Sequence, residues 1–325
     1  MENILLIITS ENFSDSFAEL ISYKMDAGFN TPIIFVKDSP KVSAEEIKSH
    51  ILRMYQGEAN KKPFYVLLGG DLNIIPAYKV KYDKSGERYR DSSYAAVFKG
   101  ENGETEIAPD VDYWMCSIGR LPGNASDEIR EMCKKIIDYE ENLTNRQPSS
   151  LLAIASTEPN TEFLSKLVPN LNFPQKNLLM ANDYKDFEAF RNDITDNLVK
   201  YKIITYNGHG SSSAWNIKGQ FDNVPELTLT PHVMSWACNT ANISEQNNFG
   251  VKTIKSGAAS FWGACAMTYG KDNRTMCEEV LKTYVGASCP QTIGELYFQV
   301  ISDYPECREA LKYMLLGDPT LKIRQ

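Results

Sequence analysis

The sequence predicts an α/β protein with mainly parallel sheets flanked by helices, arranged as two side-by-side subdomains, and three observations carry that expectation. Short apolar, β-rich runs alternate with amphipathic helical stretches along the chain, as expected of strands buried on both faces. The length of 325 residues exceeds one modest domain. A polar stretch, Asn142–Ser150 (NLTNRQPSS), interrupts the alternation near the middle and holds Pro148. The expected division is 1–145 for an N-terminal α/β subdomain and 146–325 for a C-terminal subdomain carrying the chemistry.

In the first part, strands are expected at Asn3–Thr9, Pro32–Lys37, Phe64–Gly69 and Tyr113–Gly119, with helices near Phe13–Ala27, Ala44–Gln56 and Asp127–Asn142. Ser126 is placed to cap the last helix, with Glu128 in its acidic first turn. The polar, tyrosine-bearing stretch Lys81–Asp110 reads as an excursion at the sheet edge or a β-ribbon. In the second part, strands are expected at Leu151–Ser156, Asn177–Met180, Lys202–Tyr206, His232–Trp236 and Ala258–Trp262. Helices are expected near Glu162–Val168, Asp186–Lys200, Arg274–Val285 and Thr292–Asp303.

Composition narrows the function. A hydrophobic fraction of 42% with 11% aromatic residues supports a substantial core and argues against disorder. Lys and Arg number 34 against 42 Asp and Glu, a net charge of −8, and no basic run offsets it. Such a surface repels nucleic acid and anionic membrane. The seven cysteines include no CxxC pair, and only His50, His209 and His232 accompany them, so a zinc site is poorly supported. Cys133 and Cys277 fall in helical patterns, where a thiol usually serves as a small buried hydrophobe. Asp71, Asp110 and Asp112 offer carboxylates for a structural calcium ion, but not at the spacing of a recognised loop. No other cofactor is expected. The apolar run Ile4–Thr9 is too short to span a bilayer and lacks a basic flank, so it reads as a core strand. As written the chain is expected to be cytoplasmic, or secreted if a leader has been removed.

Two loops concentrate the chemistry. In Lys202–Ser211 (KIITYNGHGS), an apolar strand runs into a turn that holds His209 between Gly208 and Gly210. In Pro231–Thr240 (PHVMSWACNT), a second strand ends at Ala237–Cys238. If the strands are parallel neighbours, both loops emerge at the carboxyl edge, where open α/β sheets place their sites. A thiolate is a strong nucleophile, and a nearby imidazole can take its proton and later protonate the leaving amine. Backbone N–H groups of Gly210 and Cys238 are the natural donors to a tetrahedral oxyanion, each worth about 2.7–4 kcal/mol. Taken singly, a histidine after a strand is usually structural, and a strand-end cysteine is usually a buried thiol. The pairing, with glycine on both sides of the histidine, is what raises the catalytic alternative.

The flanking segments extend the case. Val66–Tyr78 (VLLGGDLNIIPAY), Ile118–Pro122 (IGRLP) and Ile137–Glu140 (IDYE) resemble the N-terminal subdomain of the gingipain family, peptidase family C25 of clan CD. The similarity continues through Ile154–Glu158 (IASTE), Tyr206–Ser211 with Trp215, Ala237–Thr240 and Leu316–Leu321 (LGDPTL), in the same order. The resemblance implies a caspase-like fold and a cysteine endopeptidase acting through a thioester, with Cys238 as nucleophile and His209 as acid–base residue. It places Glu158 where the family holds the acid that supports the histidine; a solvated residue opening a helix is the alternative. It further implies an S1 pocket formed by Glu162 and Tyr269, with Trp236 and Ala237 along the substrate path, and a basic Arg or Lys residue at P1. Glu162 as a first-turn helix acid and Tyr269 as a core residue are the competing readings.

A protein or peptide substrate is the expected partner, with an activating partner or self-cleavage within Lys81–Asp110 as the means of control. The alternative function is a catalytically silent, caspase-like scaffold that binds extended peptides along a sheet edge. The intact pair of Cys238 and His209 favours the enzyme.

Overall fold

The computed structural model describes residues 3–37, 42–57, 63–100, 104, 106, 109–143, 150–304 and 308–323. Cys307 and residues 144–149 of the polar break lie outside the described residues. The chain divides into two compact units, Met1–Thr144 with Gln291–Leu311 and Leu315–Gln325, and Asn145–Pro290 with Lys312–Met314. The C-terminal segments therefore belong largely to the first unit, where the sequence placed all of 146–325 in the second. A buried ion cluster ties the last segment to this unit: Lys24 Nζ lies 2.9 Å from Glu140 and 3.0 Å from Asp318, with the lysine and aspartate side chains fully buried.

The first unit is built on β1 (Asn3–Ser10), α1 (Ala18–Asp26), β2 (Ile33–Val36), α2 (Ala44–Gly57), β3 (Phe64–Gly69), β4 (Ser117–Leu121) and α3 (Ser126–Glu141). β1 runs parallel between β2 and β3, and β4 pairs with the far side of β3. Alternate residues Ile4, Leu6 and Ile8 of β1 pack with Val66 and Leu68 of β3 and with Ile47 and Ile51 of α2. Burying each such side chain contributes about 1.5–3 kcal/mol. The polar stretch forms antiparallel ribbons, Tyr78–Tyr82 with Gly86–Arg90 and Ala96–Phe98 with Val111–Trp114. The expected strand Tyr113–Gly119 consequently divides between a ribbon and β4. Arg120 of β4, fully buried, makes a bidentate pair with Asp91 at 2.7 Å and donates to the carbonyls of Gly70 and Ile75. Ser126 is the first residue of α3 and not its cap; its hydroxyl donates to the Asn12 carbonyl.

The second unit holds β5 (Ser150–Ala155), α4 (Glu158–Leu167), β6 (Gln175–Met180), α5 (Phe187–Leu198), β7 (Ile203–Asn207), β8 (His232–Trp236), α6 (Phe249–Lys255), β9 (Ser260–Ala264) and α7 (Gly270–Val285). The strands are parallel in the order β6-β5-β7-β8-β9. Chain direction through the sheet reverses between β5 and β7, and such a switch point opens a crevice at the carboxyl ends. Two elements complete the chain: α8 (Ile293–Asp303) in the first unit, and β10 (Tyr313–Leu316), whose Tyr313 and Met314 belong to the second. Among the described residues no helix is long and apolar enough to cross a membrane.

Candidate active site

Four loops leave the carboxyl edge of the second unit's sheet, and each carries a polar residue of interest. Glu158 follows β5, His209 follows β7, Cys238 follows β8 and Thr268 follows β9. Because β7 and β8 are in register from Ile203↔His232 to Asn207↔Trp236, the histidine and cysteine loops start from the same level. The juxtaposition expected of parallel neighbours is present.

The cysteine sits at a tight turn. Asn239, immediately after it, has φ of 61°, a left-handed conformation that asparagine tolerates better than most residues. Its N–H donates to the Ala266 carbonyl, and the N–H of Ala241 donates to Ala264, so the turn is held along β9. Cys238 is half-buried. Its sulfur accepts the Thr268 N–H at 3.3 Å and lies 3.8 Å from the Thr268 hydroxyl and 3.7 Å from the Thr268 carbonyl. Behind it, Asn273 Nδ2 donates to Thr268 Oγ1 at 2.9 Å, and the Tyr313 hydroxyl donates to Asn273 Oδ1 at 2.9 Å. With its oxygen already accepting from Asn273, the Thr268 hydroxyl keeps its own proton available for the sulfur. Thr268, Asn273 and Tyr313 were not apparent as site residues in the sequence, because the Thr268–Asn273 segment and Tyr313 lie far from Cys238 in the chain.

The histidine loop is fixed from beneath. The Tyr206 hydroxyl donates to the His209 carbonyl at 2.7 Å and lies 2.8 Å from Ser156 Oγ. Burial pushes the Tyr206 phenol up, so it stays a neutral donor. Tyr206 stacks on Trp215 with centroids 4.5 Å apart, and the indole N–H donates to Ser235 of β8. The His209–Gly210 segment pairs antiparallel with Trp215–Asn216. A Cβ on Gly210 would lie 2.8 Å from the Cys238 carbonyl and 2.9 Å from Ala237 Cβ, so only glycine permits this approach of the two loops. One on Gly208 would lie 2.0 Å from Ser156 Oγ. The His209 side chain is exposed, and among the described residues its ring makes no hydrogen bond or ion pair. His232 is instead a core residue, with Nδ1 2.8 Å from Ser260 Oγ.

The remaining expected site residues separate into two groups. Glu158 opens α4 at the correct edge, exposed, but its carboxylate accepts from Asn182 Nδ2 and not from His209. Tyr269 is 64% exposed beside Thr268, so it is no core residue. Lys312 Nζ stands 5.6 Å from its ring and donates to the neighbouring Met267 carbonyl. Glu162 lies on the solvent side of α4, bonded to Lys166 one turn on, and that pairing lowers its pKa. Trp236, expected along the substrate path, has a core side chain: it is 1% exposed, donates to Thr205 Oγ1 and packs on Trp262 and Tyr313. The Ala237 side chain is equally buried, against Gly210. In the first unit, Asp71 accepts the Asn73 N–H as a turn residue, and among the described residues no group of three or more His, Cys, Asp or Glu is placed to hold a metal ion.

Comparison with known proteins matches residues 2–324 to the profile of peptidase family C25. The chain is 23% identical over 357 aligned positions to gingipain R2 of Porphyromonas gingivalis, an alignment covering 98% of this chain and 46% of that protein. It thus spans less than half the length of that curated relative. Among solved structures it is similar to the Arg-specific cysteine proteinase gingipain R (RgpB), with TM-score 0.81 and 18% identity over 99% of this chain and 78% of that one. A complex of the pro- and mature domains of Porphyromonas gingivalis RgpB gives TM-score 0.80 and 18% identity, covering 98% and 79%. At these identities the structures establish a shared fold.

Proposed function

Because the chain belongs to peptidase family C25, we propose that it is a cysteine endopeptidase in which Cys238 attacks the scissile carbonyl and His209 manages the proton. The observation that carries this reading is the meeting of the two loops at the carboxyl edge of a parallel sheet, with Gly210 seated against the Cys238 carbonyl. His209 takes the thiol proton, directly or as substrate closes the site; catalytic hydrogen bonds are often long without ligand. The thiolate is received by the Thr268 N–H and hydroxyl, which point two donors at the sulfur. Attack gives a tetrahedral oxyanion for which the Gly210 and Cys238 N–H groups are the proposed donors. Collapse expels the amine, protonated by His209, and leaves a thioester for water to hydrolyse with His209 as base.

Glu158 belongs to this reading as the acid that would orient the imidazolium, reached by exchanging its bond from Asn182. A protein or peptide is the proposed substrate, and a covering pro-segment, as in the RgpB complex, is a proposed controlling partner. A basic P1 residue has support only in the Arg-specific neighbour, since Glu162 is engaged by Lys166 on the solvent face. Wild type and Cys238→Ala incubated with quenched peptides varied at P1, under reducing conditions, test the enzyme. Cleavage by wild type alone is expected; equal cleavage by both would remove Cys238 from the mechanism.

A further inference from the structure

Two loops leave the carboxyl edge of the sheet, Ser156–Asn160 after β5 and Met267–Gly270 after β9, and one guanidinium connects them. Arg274, in α7, reaches back so that Nη1 donates to Asn160 Oδ1 at 3.3 Å and lies 3.4 Å from where a Cβ on Gly270 would stand. Asn160 is 8% exposed, and its own amide donates to Thr157 Oγ1 at 2.8 Å, which turns its carbonyl oxygen toward the arginine. Gly270 is two residues from Thr268, whose N–H contacts the sulfur. Two residues span at most about 7 Å, so Gly270 stays close to the segment that meets the sulfur.

The charge at this place is unbalanced. Arg274 is half-buried, and among the described residues it makes no ion pair. The acids that might have neutralised it are engaged elsewhere or face away: Glu162 pairs with Lys166, and Glu158 accepts from Asn182. Asp272, two residues earlier in the helix, points to a different side. An aspartate at position 160 would cancel the guanidinium; asparagine holds it in place and leaves its charge available.

We infer that Arg274, held by Asn160, selects a carboxylate side chain at P1, so that the substrate is cut after Asp or Glu. The inference rests on the peptidase reading above. A guanidinium presents its donors as a planar fork matched to a carboxylate, whereas a basic P1 side chain would meet like charge.

Binding and turnover test it separately. Fluorescent peptides differing only at P1 (Asp, Glu, Asn, Gln, Arg, Lys) are titrated against Cys238→Ala, which requires no catalysis. Asp and Glu are expected to bind about tenfold or more tighter than Asn and Gln, the scale of one charge-assisted hydrogen bond, with Arg and Lys weakest. Adding Arg274→Gln should erase the acidic advantage and Arg274→Lys should keep part of it, with thermal midpoints confirming that both variants fold. Equal binding of all peptides, preference for Arg or Lys, no binding at millimolar peptide, or an acidic preference that survives Arg274→Gln would each overturn the inference. The same peptides with wild-type enzyme separate the two claims. Cleavage after Arg or Lys alone sinks the acidic pocket and leaves the peptidase. Acid-selective binding with no cleavage anywhere sinks the peptidase and leaves the pocket.

Discussion

Around the Cys238 sulfur, one residue does several jobs. Thr268 offers it an N–H, a hydroxyl and a carbonyl, so thiol and thiolate each find a partner without moving. The Asn273 amide fixes which way the threonine hydroxyl points. Thr268→Val keeps the shape and the N–H but removes the hydroxyl. A hydrogen bond to a charged group is worth about 1.5–3 kcal/mol, so alkylation of Cys238 by iodoacetamide at neutral pH should slow roughly tenfold or more. Thr268→Ser should restore the rate. An unchanged alkylation rate in Thr268→Val would show the hydroxyl to be a packing residue only. Gly210→Ala is expected to abolish turnover while leaving global stability largely intact, because the added Cβ meets the Cys238 carbonyl at 2.8 Å and must separate the two loops. A variant that retains normal kcat/KM would refute that close approach.

Single elements show how local chemistry places these loops. The His209 turn is a short antiparallel excursion clamped by Trp215, which stacks on Tyr206 and donates to Ser235. Ser235 also accepts from Thr240, just past the cysteine, so one buried hydroxyl ties the His209 and Cys238 loops together. In the first unit, α8 starts with a capping box in which Thr292 accepts the Glu295 N–H and Glu295 accepts the Thr292 N–H. The same Glu295 accepts the Tyr65 hydroxyl of β3 at 2.6 Å. Thr292→Ala is therefore expected to cost about 1 kcal/mol of stability, read as a shift in denaturant midpoint with no change in Cys238 alkylation. A loss of alkylation equal to the loss of stability would show that α8 controls the site as well.

Over the whole molecule, buried charge and buried thiols set the response to mutation and pH. Lys24 stands between Glu140 and Asp318; burial opposes its charge, but the two carboxylates outweigh burial and hold its pKa above the ordinary lysine value. Lys24→Met leaves two carboxylates buried without their cation, and breaking such a group costs about 3–5 kcal/mol. Calorimetry should show that loss; a near-neutral variant would mean that the acids are relieved by protonation or water. The thiols act in the same direction with pH, since their folded values are raised as well. Burial pushes Cys277 up to about 12, and it raises Cys116 and Cys133 also. In the unfolded chain these thiols ionise near 8.5, so their contribution is present below that pH and falls as pH rises toward the folded values. Unfolding midpoints should therefore drop between pH 8 and 10, and Cys277→Ala should flatten the slope if stability permits comparison at matched reference pH.

Periodicity and punctuation determined the α/β class, most strand positions in the second unit and the two loops that carry Cys238 and His209. These are local properties: alternating burial fixes a strand, and glycine beside a strand end fixes a sharp turn. Parallel pairing of β7 with β8 then followed the expected placement at the carboxyl edge. What the sequence left open was decided by contacts distant in the chain. The last C-terminal segment is tied to the first unit by Asp318, which meets Lys24 beside Glu140. Trp236, which read as a substrate contact, became core because three aromatic rings close over one face of its strand. Glu162 is the local exception: helix geometry brings it to Lys166, four residues on, on the solvent face. Thr268 became a neighbour of the sulfur, and Tyr313 a support of Asn273 behind it, only through folding, since hydrogen bonding depends on distance in space and no local pattern records which remote donor will arrive.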